Sequence, residues 1–503
     1  MSGGPEILLH IDRSHPETLA GQLRGGLREA IQSGRLTAGT RLPASRVLAD
    51  DLGISRGVVV EAYAQLVAEG FLVTRPGSGT LVSDAAGLTP EHSSWWHRRG
   101  QRHSRLWRPE IDLRPSGPDP ALFPRSQAAR TMTEVFRHLP AAEFGYTGPW
   151  GVAALRRQLE SHLGRLRAAM APADGIVVVT GRTQALTVTA RTLAAAGHDH
   201  VAVEDPGDPW HWRLLQAHGL KAIPVPVDSE GLDVGVLAAS GCRVVLASPS
   251  CQFPTGAVMS AARRARLLEW AVARRALIIE DDQRADFHYD RPALACLQGM
   301  RPEHVILIGS VSMTLAPAMR LGWVVPPPQL LRAIAETKRD DDFGTPVLEQ
   351  HALASWLESG HYDRHVRHAR RSYAMRREAL SRQLRQRFPE WRQRGIPAGL
   401  EILLELPAGI PDRHIMAHAM EQGLGVTPLS PMRAATPGPP GLVLSYARLP
   451  PQRSADAISR LERAAGAVMA EEPSLAATAI PSAEDQWHLT SADWPAAPGD
   501  FYQ

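Results

Sequence analysis

Six short apolar runs constrain the fold of this chain more than any other feature. They read IVVVT, HVAVED, KAIPVPV, CRVVLASP, ALIIEDD and HVILIGS, and helix-length segments separate them between residue 112 and about residue 470. Short runs rich in valine and isoleucine are typical of buried strands. Strands that alternate with helices form mostly parallel sheets, whose ligand loops follow the carboxyl ends of the strands. We therefore predict an α/β domain with a mostly parallel sheet over residues 111–470.

The first part of the chain, residues 7–83, shows a helical pattern followed by a short hairpin. Apolar residues recur at helical spacing at Leu19, Leu23, Leu27 and Ile31. A second helix is predicted over Ser45–Leu52, and a third begins after Ser55, a residue type that often caps helices. The run FLVTRPGSGTLV then alternates like two strands joined by a glycine turn. This order predicts an α+β head with winged helix-turn-helix geometry.

Composition limits the class of protein. A chain of 503 residues is long enough for several domains. No apolar run reaches the roughly 20 residues that a membrane-spanning helix needs, and we find no secretory signal pattern. The three cysteines, Cys242, Cys251 and Cys296, have neither disulfide nor zinc-site spacing. We expect a cytoplasmic, multi-domain protein without a membrane or metal site, with a basic linker over residues 84–110 and a flexible tail over residues 471–503.

Residues 41–82, RLPASRVLADDLGISRGVVVEAYAQLVAEGFLVTRPGSGTLV, resemble the GntR-type winged-helix family. The resemblance implies that the starts of the second and third helices, and the tip of the wing, contact double-stranded DNA. Helix N-termini and guanidinium groups suit phosphates and guanine edges. The implied contacts are Arg46, Ser55, Arg56, Arg75 and Gly77. Taken singly, each arginine is equally consistent with a solvated surface charge.

The large domain carries an ordered set of longer motifs. They are LRPSGPDPALFP, GYTGPWGVAALRRQLESHL, VVVTGRTQAL, VEDPGDP, ASPSCQFPTG, LIIEDDQRADFHYD and GSVSMTLAPAMRLGW. In this order they resemble the fold-type I aminotransferases, which use pyridoxal phosphate. Joined to a GntR-type head, nearly the whole chain except the linker and tail resembles the MocR family of regulators. The resemblance implies a head-to-tail homodimer, in which the head of one subunit lies near the large domain of the other.

The resemblance also implies positions for a pyridoxal phosphate site. Such a site needs a phosphate cradle, a carboxylate for the pyridinium nitrogen and a lysine for the Schiff base. Asp281, at the end of a predicted strand, matches the carboxylate, and Tyr146 resembles a tyrosine that reaches the phosphate from the partner subunit. The residues that match the rest of the phosphate cradle are Gly181, Arg182, Thr183, Ser310, Ser312 and Arg320.

The lysine of this site is missing. Where the family has Ser-Lys-Thr, this chain has Ser312, Met313 and Thr314, and a methionine thioether does not condense with an aldehyde. Lys221 and Lys338 are the only lysines of the chain, and neither lies in the motif. We therefore predict that no Schiff base forms at this position.

Four further positions depart from the family pattern: Asp208, Cys251, Gln283 and Val443. By resemblance, Asp208 replaces the tyrosine that stacks on the cofactor ring, and Gln283 replaces the tyrosine that contacts its phenolic oxygen. Cys251 stands at a usual histidine position, and Val443 stands near the usual carboxylate-binding arginine. The tryptophans at positions 210 and 212 would restore an aromatic face, or they simply pack in the fold.

These changes leave three hypotheses. The first, which we prefer, is a homodimeric DNA-binding transcriptional regulator whose degenerate aminotransferase-like domain dimerises and senses a small molecule; pyridoxal phosphate then binds only non-covalently or not at all. The second is a working aminotransferase with a DNA-binding head, which would lack the base that moves the proton in transamination. The third is a regulator whose large domain is structural or responds to a protein partner. The sequence does not separate the first from the third.

Overall fold

The structure is a computed structural model, and it describes residues 11–13, 17–75, 79–84, 107–290 and 294–475. Most of the predicted linker and tail lies outside these ranges. The chain divides into two units, Met1–Trp107 and Arg108–Gln503. Within the described ranges, no helix is both long enough and apolar enough to cross a membrane.

The N-terminal unit contains the predicted helices and hairpin. Its elements are α1 (Leu19–Gln32), α2 (Ser45–Leu52), α3 (Arg56–Ala68), β1 (Leu72–Arg75) and β2 (Gly79–Val82). Leu27 of α1 and Leu66 of α3 are fully buried in one apolar cluster. Gly53 turns the chain between α2 and α3 with a φ of 61°, a region that favours glycine. The predicted winged helix-turn-helix fold is confirmed.

The second unit alternates strands and helices along most of its length. Its strands are β3 (Ile111–Asp112), β4 (Val177–Val179), β5 (His200–Asp205), β6 (Lys221–Asp228), β7 (Gly231–Leu232), β8 (Val244–Ala247), β9 (Leu277–Asp281), β10 (Val305–Ser310), β11 (Gly322–Val325), β12 (Arg392–Arg394), β13 (Glu401–Glu405), β14 (Leu424–Gly425), β15 (Thr427–Pro428) and β16 (Gly441–Ser445). Its helices are α4 (Arg125–His138), α5 (Ala153–Arg167), α6 (Arg182–Ala195), α7 (Pro209–Ala217), α8 (Val234–Ala239), α9 (Ala261–Arg274), α10 (Pro328–Asp342), α11 (Val347–Glu358), α12 (His361–Arg387), α13 (Asp412–Glu421) and α14 (Ser454–Leu475).

An eight-stranded sheet forms the centre of this unit, in the order β4-β11-β10-β9-β8-β5-β6-β7. The strands from β10 to β6 in this order run parallel. The outer pairings, of β11 with β4 and β10 and of β6 with β7, are antiparallel. All six predicted strands are present, and the predicted mostly parallel sheet is confirmed. Strand β11 was not predicted.

The central sheet is buried on both faces. In β8, Val244 and Leu246 belong to an apolar cluster that includes Leu193 of α6. The alternate residue Val245 belongs to a second cluster, which includes Leu267 of α9. Because successive residues of a strand point to opposite faces, helices on both sides require continuous apolar runs rather than alternating ones.

A smaller antiparallel sheet, in the order β12-β13-β16-β15, belongs to the C-terminal part of the unit. Leu404 of β13, Leu444 of β16 and Leu461 of α14 are fully buried in one apolar cluster. Helix α14 continues past Glu471, where the tail was predicted to begin, and ends at Leu475.

Asp205, the last residue of β5, joins the central sheet to a loop of this C-terminal part. Its buried carboxylate accepts hydrogen bonds from three successive backbone N–H groups, those of Ala434 and Ala435 at 2.9 Å and that of Thr436 at 2.6 Å. Hydrogen bonds to an ionised acceptor are stronger than those between neutral groups. We call this arrangement the Asp205 clamp.

Candidate functional site

The starts of α2 and α3 present three of the predicted DNA contacts. Arg56 is exposed, and its Nε lies 3.4 Å from Ser45 Oγ. Ser55 precedes α3 in an extended conformation but makes no capping hydrogen bond, contrary to its sequence pattern, so its hydroxyl is available to a ligand. Arg46 is exposed, and among the described residues no carboxylate pairs with Arg46 or Arg56. The structure thus brings two unpaired guanidinium groups and two helix N-termini to one surface.

The wing carries a further predicted contact and one that the sequence did not indicate. Arg75 ends β1 and pairs with Gly79 across the hairpin. Arg41 pairs with Leu81, and a Cβ atom placed on Gly79 would lie 3.4 Å from Arg41 Nε. Gly77 lies outside the described residues. Arg41 is therefore an additional candidate contact, since a bridge to β2 brings it to the wing.

Several residues predicted to hold phosphate meet at the N-terminus of α6. A Cβ atom placed on Gly181 would lie 3.6 Å from Arg320 Nη1 and 3.8 Å from Ser312 Oγ. Ser310 Oγ accepts a hydrogen bond of 3.4 Å from Ser312 N. Arg320 is exposed, and its guanidinium has no hydrogen-bond or ion-pair partner in the part of the chain that the structure describes. A helix N-terminus beside an unpaired guanidinium is suited to an anion.

Two other predicted phosphate ligands, Thr183 and Tyr146, have exposed side chains. Thr183 is exposed in the first turn of α6, and its side chain makes no hydrogen bond among the described residues. Tyr146 is 94% exposed, and its ring centroid lies 6.3 Å from that of Phe343. An aromatic side chain this exposed is suited to contact another subunit, which is the role that the resemblance implies.

Asp281 already has a cationic partner within the chain. Arg182, the first residue of α6, donates from Nη1 to Asp281 Oδ2 at 2.8 Å and from Nη2 to Asp208 Oδ2 at 3.2 Å. Nη1 also lies 2.9 Å from His211 Nε2, and Cζ lies 5.4 Å from the centroid of the Trp210 ring. We call Arg182, Asp208, Trp210, His211 and Asp281 the Arg182 cluster. Contrary to its predicted place in the phosphate cradle, Arg182 faces these carboxylates, because two buried negative charges attract it.

Arg182 sets the charge of this cluster. Burial raises the pKa of Asp281 and of Asp208, but nearby positive charge outweighs burial, and both pKa values lie below their ordinary value. Burial, with the charge of Arg182, lowers the pKa of His211 to about 4. His211 is therefore neutral at pH 7. Of the two groups whose charge lowers the pKa of Asp208, His211 and Arg182, only Arg182 is charged at that pH, and Arg284 adds to its effect on Asp281.

Little space remains beside the cluster. A cavity of about 10 Å³ is lined by Arg182, Glu204, Gly207, Asp208, His211, Leu246, Ser248, Phe253, Asp281 and Arg284. That is roughly room for one water molecule. The group at Gly181 and Arg320 suits a phosphate. In the ring half of the site, by which we mean the part at Asp281 that the resemblance assigns to the pyridinium ring, the carboxylate is already paired with Arg182.

Of the other positions that depart from the family pattern, Met313, Cys251 and Val443 are buried and Gln283 is half-buried. Met313 is 3% exposed and lies in an apolar cluster with Phe287. Gln283 donates from its backbone N to Asp281 Oδ1 at 3.4 Å. Val443 is fully buried, and burial raises the pKa of the Cys251 thiol to about 12. Trp210 packs on the Arg182 guanidinium, and Trp212 packs against the apolar cluster of the central sheet.

Glu204, the penultimate residue of β5, lines the same cavity. Its Oε1 accepts a hydrogen bond of 3.1 Å from Ser248 N. Burial raises the pKa of Glu204 from 4.5 to about 8. Its carboxyl group is therefore protonated at pH 7 in the folded chain and ionised in the unfolded chain.

We predict that Glu204→Gln flattens the pH dependence of stability. The folded-state pKa of about 8 exceeds the unfolded-state value of 4.5, so the contribution of Glu204 is complete below pH 4.5 and is lost as the pH rises through 8. Glutamine does not titrate. As the pH rises from 4.5 to above 8, the free energy of unfolding of the variant should therefore fall by on the order of 1–4 kcal/mol less than that of the wild type. Urea denaturation at several pH values measures this. Parallel pH profiles for the two proteins would mean that Glu204 is ionised in the folded chain.

The sequence matches two protein families. Residues 19–82 match "Bacterial regulatory proteins, gntR family", and residues 125–461 match "Aminotransferase class I and II". The first match covers α1 to β2, and the second covers the central sheet and the cavity at its edge. The two family matches therefore coincide with the two parts of the fold, the winged helix and the α/β domain.

Curated relatives and solved structures agree with these families. The chain is 30% identical over 472 residues to "Probable rhizopine catabolism regulatory protein MocR" of Rhizobium meliloti, covering 91% of this chain and 96% of the relative. It is 32% identical over 444 residues to "HTH-type pyridoxine biosynthesis transcriptional regulator PdxR" of Corynebacterium glutamicum, covering 88% and 94%. Its fold matches LysN, an alpha-aminoadipate aminotransferase of Thermus thermophilus, with a TM-score of 0.65 and 26% identity over 72% of this chain and 93% of LysN. The chain therefore belongs to the family of transcriptional regulators that join a GntR-type winged helix to an aminotransferase class I and II domain, close to MocR and PdxR.

Proposed function

We propose that this regulator binds an operator in duplex DNA through Arg46, Ser55 and Arg56 in the major groove, and through Arg75 and Gly77 at the wing. The observation that carries this proposal is the exposed Arg46 and Arg56 at the starts of α2 and α3, since neither guanidinium group has a carboxylate partner among the described residues. In helix-turn-helix proteins, the N-terminal residues of the second helix of the motif contact base edges.

Selection of duplexes from a random pool by the full-length protein tests this function. We expect enrichment of a common sequence, because base contacts by the two arginines discriminate between sequences and phosphate contacts do not. Retention of random duplexes with no enriched sequence after repeated rounds would contradict an operator-binding regulator.

We also propose that the large domain forms a homodimer, head-to-tail as the family resemblance implies. Three aromatic side chains near the N-terminus of this domain and at the end of α10 support a second copy as the partner: Phe144 is 53% exposed, Tyr146 94% and Phe343 66%. Exposed aromatic side chains in proximity are typical of interfaces. A dimer would also present two heads to DNA, which raises affinity without new contacts. Sedimentation velocity of the full-length protein measures its mass.

The regulator we propose is not a transaminase. Met313 stands where the resemblance predicts the Schiff-base lysine. Neither lysine is placed to act instead, since Lys338 Nζ donates to both carboxylate oxygens of Asp342, at 2.7 and 2.9 Å, and Lys221 is exposed on β6. Transamination needs a base that moves a proton between the amino acid and the cofactor.

We expect Met313→Lys to remain without covalently bound pyridoxal phosphate and without turnover of amino donors. The new amine would lie among apolar side chains, where burial favours its neutral form, but Arg182 would still fill the ring half of the site. Borohydride reduction followed by peptide mass mapping detects attachment at residue 313, and Met313→Leu controls for loss of the methionine. Attachment together with turnover by Met313→Lys would support the aminotransferase hypothesis instead.

The unpaired Arg320 supports a second role for the large domain. We propose that a phosphate-bearing effector without a pyridine ring binds non-covalently at Gly181, Ser312 and Arg320. Such an effector would alter DNA affinity only if it binds one arrangement of the dimer better than another. Measurement of operator affinity across a panel of phosphate monoesters tests this role, and an unchanged affinity throughout would favour a purely structural or protein-responsive domain.

A further inference from the structure

Arg182 has contacts on several sides. Nη1 donates to Asp281 Oδ2 at 2.8 Å, Nη2 donates to Asp208 Oδ2 at 3.2 Å, and the guanidinium lies over the Trp210 ring, with Cζ 5.4 Å from its centroid. The side chains of Arg182 and Asp281 are only 10% and 4% exposed. Arg182 is therefore fixed by two charged hydrogen bonds and by an aromatic face, which are contacts that a mobile surface arginine does not make.

These contacts are of the same kind as those expected for the ring of pyridoxal phosphate. By resemblance, that ring would be a flat cation whose N–H donates to Asp281 and whose face stacks on an aromatic side chain. The Arg182 guanidinium is also flat and cationic, donates to Asp281 and lies over an aromatic side chain, Trp210. The second carboxylate, Asp208, would face the cofactor without a cation of its own, but it suits a guanidinium, which has donors for two acceptors.

The charges of the cluster explain why the chain needs a cation here. Asp208 and Asp281 are two buried carboxylates on the same guanidinium, and His211 is neutral at pH 7 because burial lowers its pKa to about 4. Without Arg182, the two negative charges would be left without this partner in a buried site, which is strongly destabilising. An enzyme of this fold receives a cation at Asp281 from its cofactor, whereas this chain supplies one itself.

We propose that Arg182 is a built-in replacement for the cofactor ring. It neutralises Asp281 and Asp208, fills the ring half of the pocket and keeps the large domain in its folded, dimer-forming state without pyridoxal phosphate. Vitamers with a pyridine ring therefore do not enter the wild-type site. This inference concerns the large domain alone and holds whether or not the head binds the proposed operator.

Pyridoxamine phosphate is the appropriate probe, because it carries the ring and the phosphate but no aldehyde that could react with a lysine. Its binding is compared with that of inorganic phosphate at equal concentration, by calorimetry and by thermal denaturation of the full-length protein. In the wild type, we expect pyridoxamine phosphate to bind no more tightly than inorganic phosphate. In Arg182→Ala/Asp208→Asn, which removes the guanidinium and leaves one carboxylate for the ring, we expect pyridoxamine phosphate to bind at least about tenfold more tightly than phosphate and to raise the melting temperature.

Two further variants make the result specific. Addition of Asp281→Asn to the double variant should remove the gained affinity, because the ring nitrogen loses its acceptor. Arg191→Ala is the matched control: Arg191 lies on the same helix, α6, and its ion pair with Asp341 is exposed, so this variant should behave as the wild type.

Two results would overturn the proposal. One is wild-type protein that binds pyridoxamine phosphate at least tenfold more tightly than phosphate, a measurement that needs no variant to fold. The other is a folded Arg182→Ala/Asp208→Asn protein that gains no affinity for pyridoxamine phosphate. If the double variant is unfolded without ligand, recovery of its thermal transition on addition of pyridoxamine phosphate supports the proposal. Failure to recover counts against a site that the pyridine ring can occupy once Arg182 is removed.

Discussion

We expect Arg56→Ala to abolish specific DNA binding by the full-length protein and to leave its oligomeric state unchanged. Arg56 is exposed at the start of α3, and its only side-chain hydrogen bond in the described part of the head is the 3.4 Å bond to Ser45 Oγ. Loss of this side chain therefore leaves no buried charge unpaired and spares the fold. A bidentate arginine–guanine contact contributes about 1–3 kcal/mol, which corresponds to roughly tenfold to over a hundredfold in affinity for each half-site.

Electrophoretic mobility shift on the selected operator and on a scrambled duplex measures this effect. Arg35→Ala is a suitable control, because Arg35 follows α1, pairs with Glu29 at 3.6 Å and lies outside the predicted interface. If Arg56 contacts only phosphate, its loss should weaken binding to both duplexes alike and reduce the salt dependence. Unchanged operator affinity of Arg56→Ala would refute the docking of α3 in the major groove.

Arg167→Ala should produce the largest loss of stability in the second unit. Arg167 ends α5, and its side chain is 3% exposed. Its Nε donates to Asp282 Oδ2 at 2.7 Å, its Nη2 donates to Ser250 Oγ at 2.8 Å and to Asp282 Oδ1, and its Nη1 donates to Leu294 O. Burial favours the neutral arginine, but the charge of Asp282 outweighs burial and raises the pKa of Arg167 above its usual range. Removal of one partner of such a buried pair costs about 3–5 kcal/mol.

A neighbour on the same helix provides the control for this effect. Arg165 pairs with Asp363 at 2.8 Å, but its side chain is 53% exposed. Arg165→Ala should therefore cost no more than about 1 kcal/mol, as exposed ion pairs do. Urea denaturation followed by tryptophan fluorescence compares the two variants. Because Asp282 follows Asp281 directly, Arg167→Ala should also weaken the Arg182 cluster. Equal denaturation midpoints for Arg167→Ala and Arg165→Ala would show that the buried pair contributes nothing specific.

The sequence was sufficient for the architecture because burial on both faces leaves a simple signal. Strands such as Val305–Ser310 are continuously apolar, so each could be recognised without its neighbours. Strand β11, Gly322–Val325, is as buried as the others but follows directly on the motif around Arg320. Its pairing with both β4 and β10 depends on which strands lie beside it, and this information is not local.

The site was only partly predictable. Family motifs directed attention to Asp281, Gly181 and Arg320, whose roles as cofactor ligands stay predictions, but they did not indicate the partner of Asp281. Arg182 and Asp208 are 26 residues apart; Arg182 was predicted to belong to the phosphate cradle, and Asp208 alone departs from the family pattern. Their charges are opposite, and this was the available signal of a pair. Only the fold, which brings the ends of β4, β5 and β9 together, places the two side chains within hydrogen-bond distance.

The Asp205 clamp has a consequence for how such a protein signals. Enzymes of many folds close a lid over their substrate and reopen it, and each cycle needs a joint that moves. Here, three successive backbone N–H groups donate hydrogen bonds to one buried carboxylate. We therefore expect the loop 434–436 to stay fixed to the end of β5 at Asp205 and not to act as a hinge. A conformational change in this protein should therefore be a rigid-body rotation of whole subunits, and not closure of one part of the large domain over another.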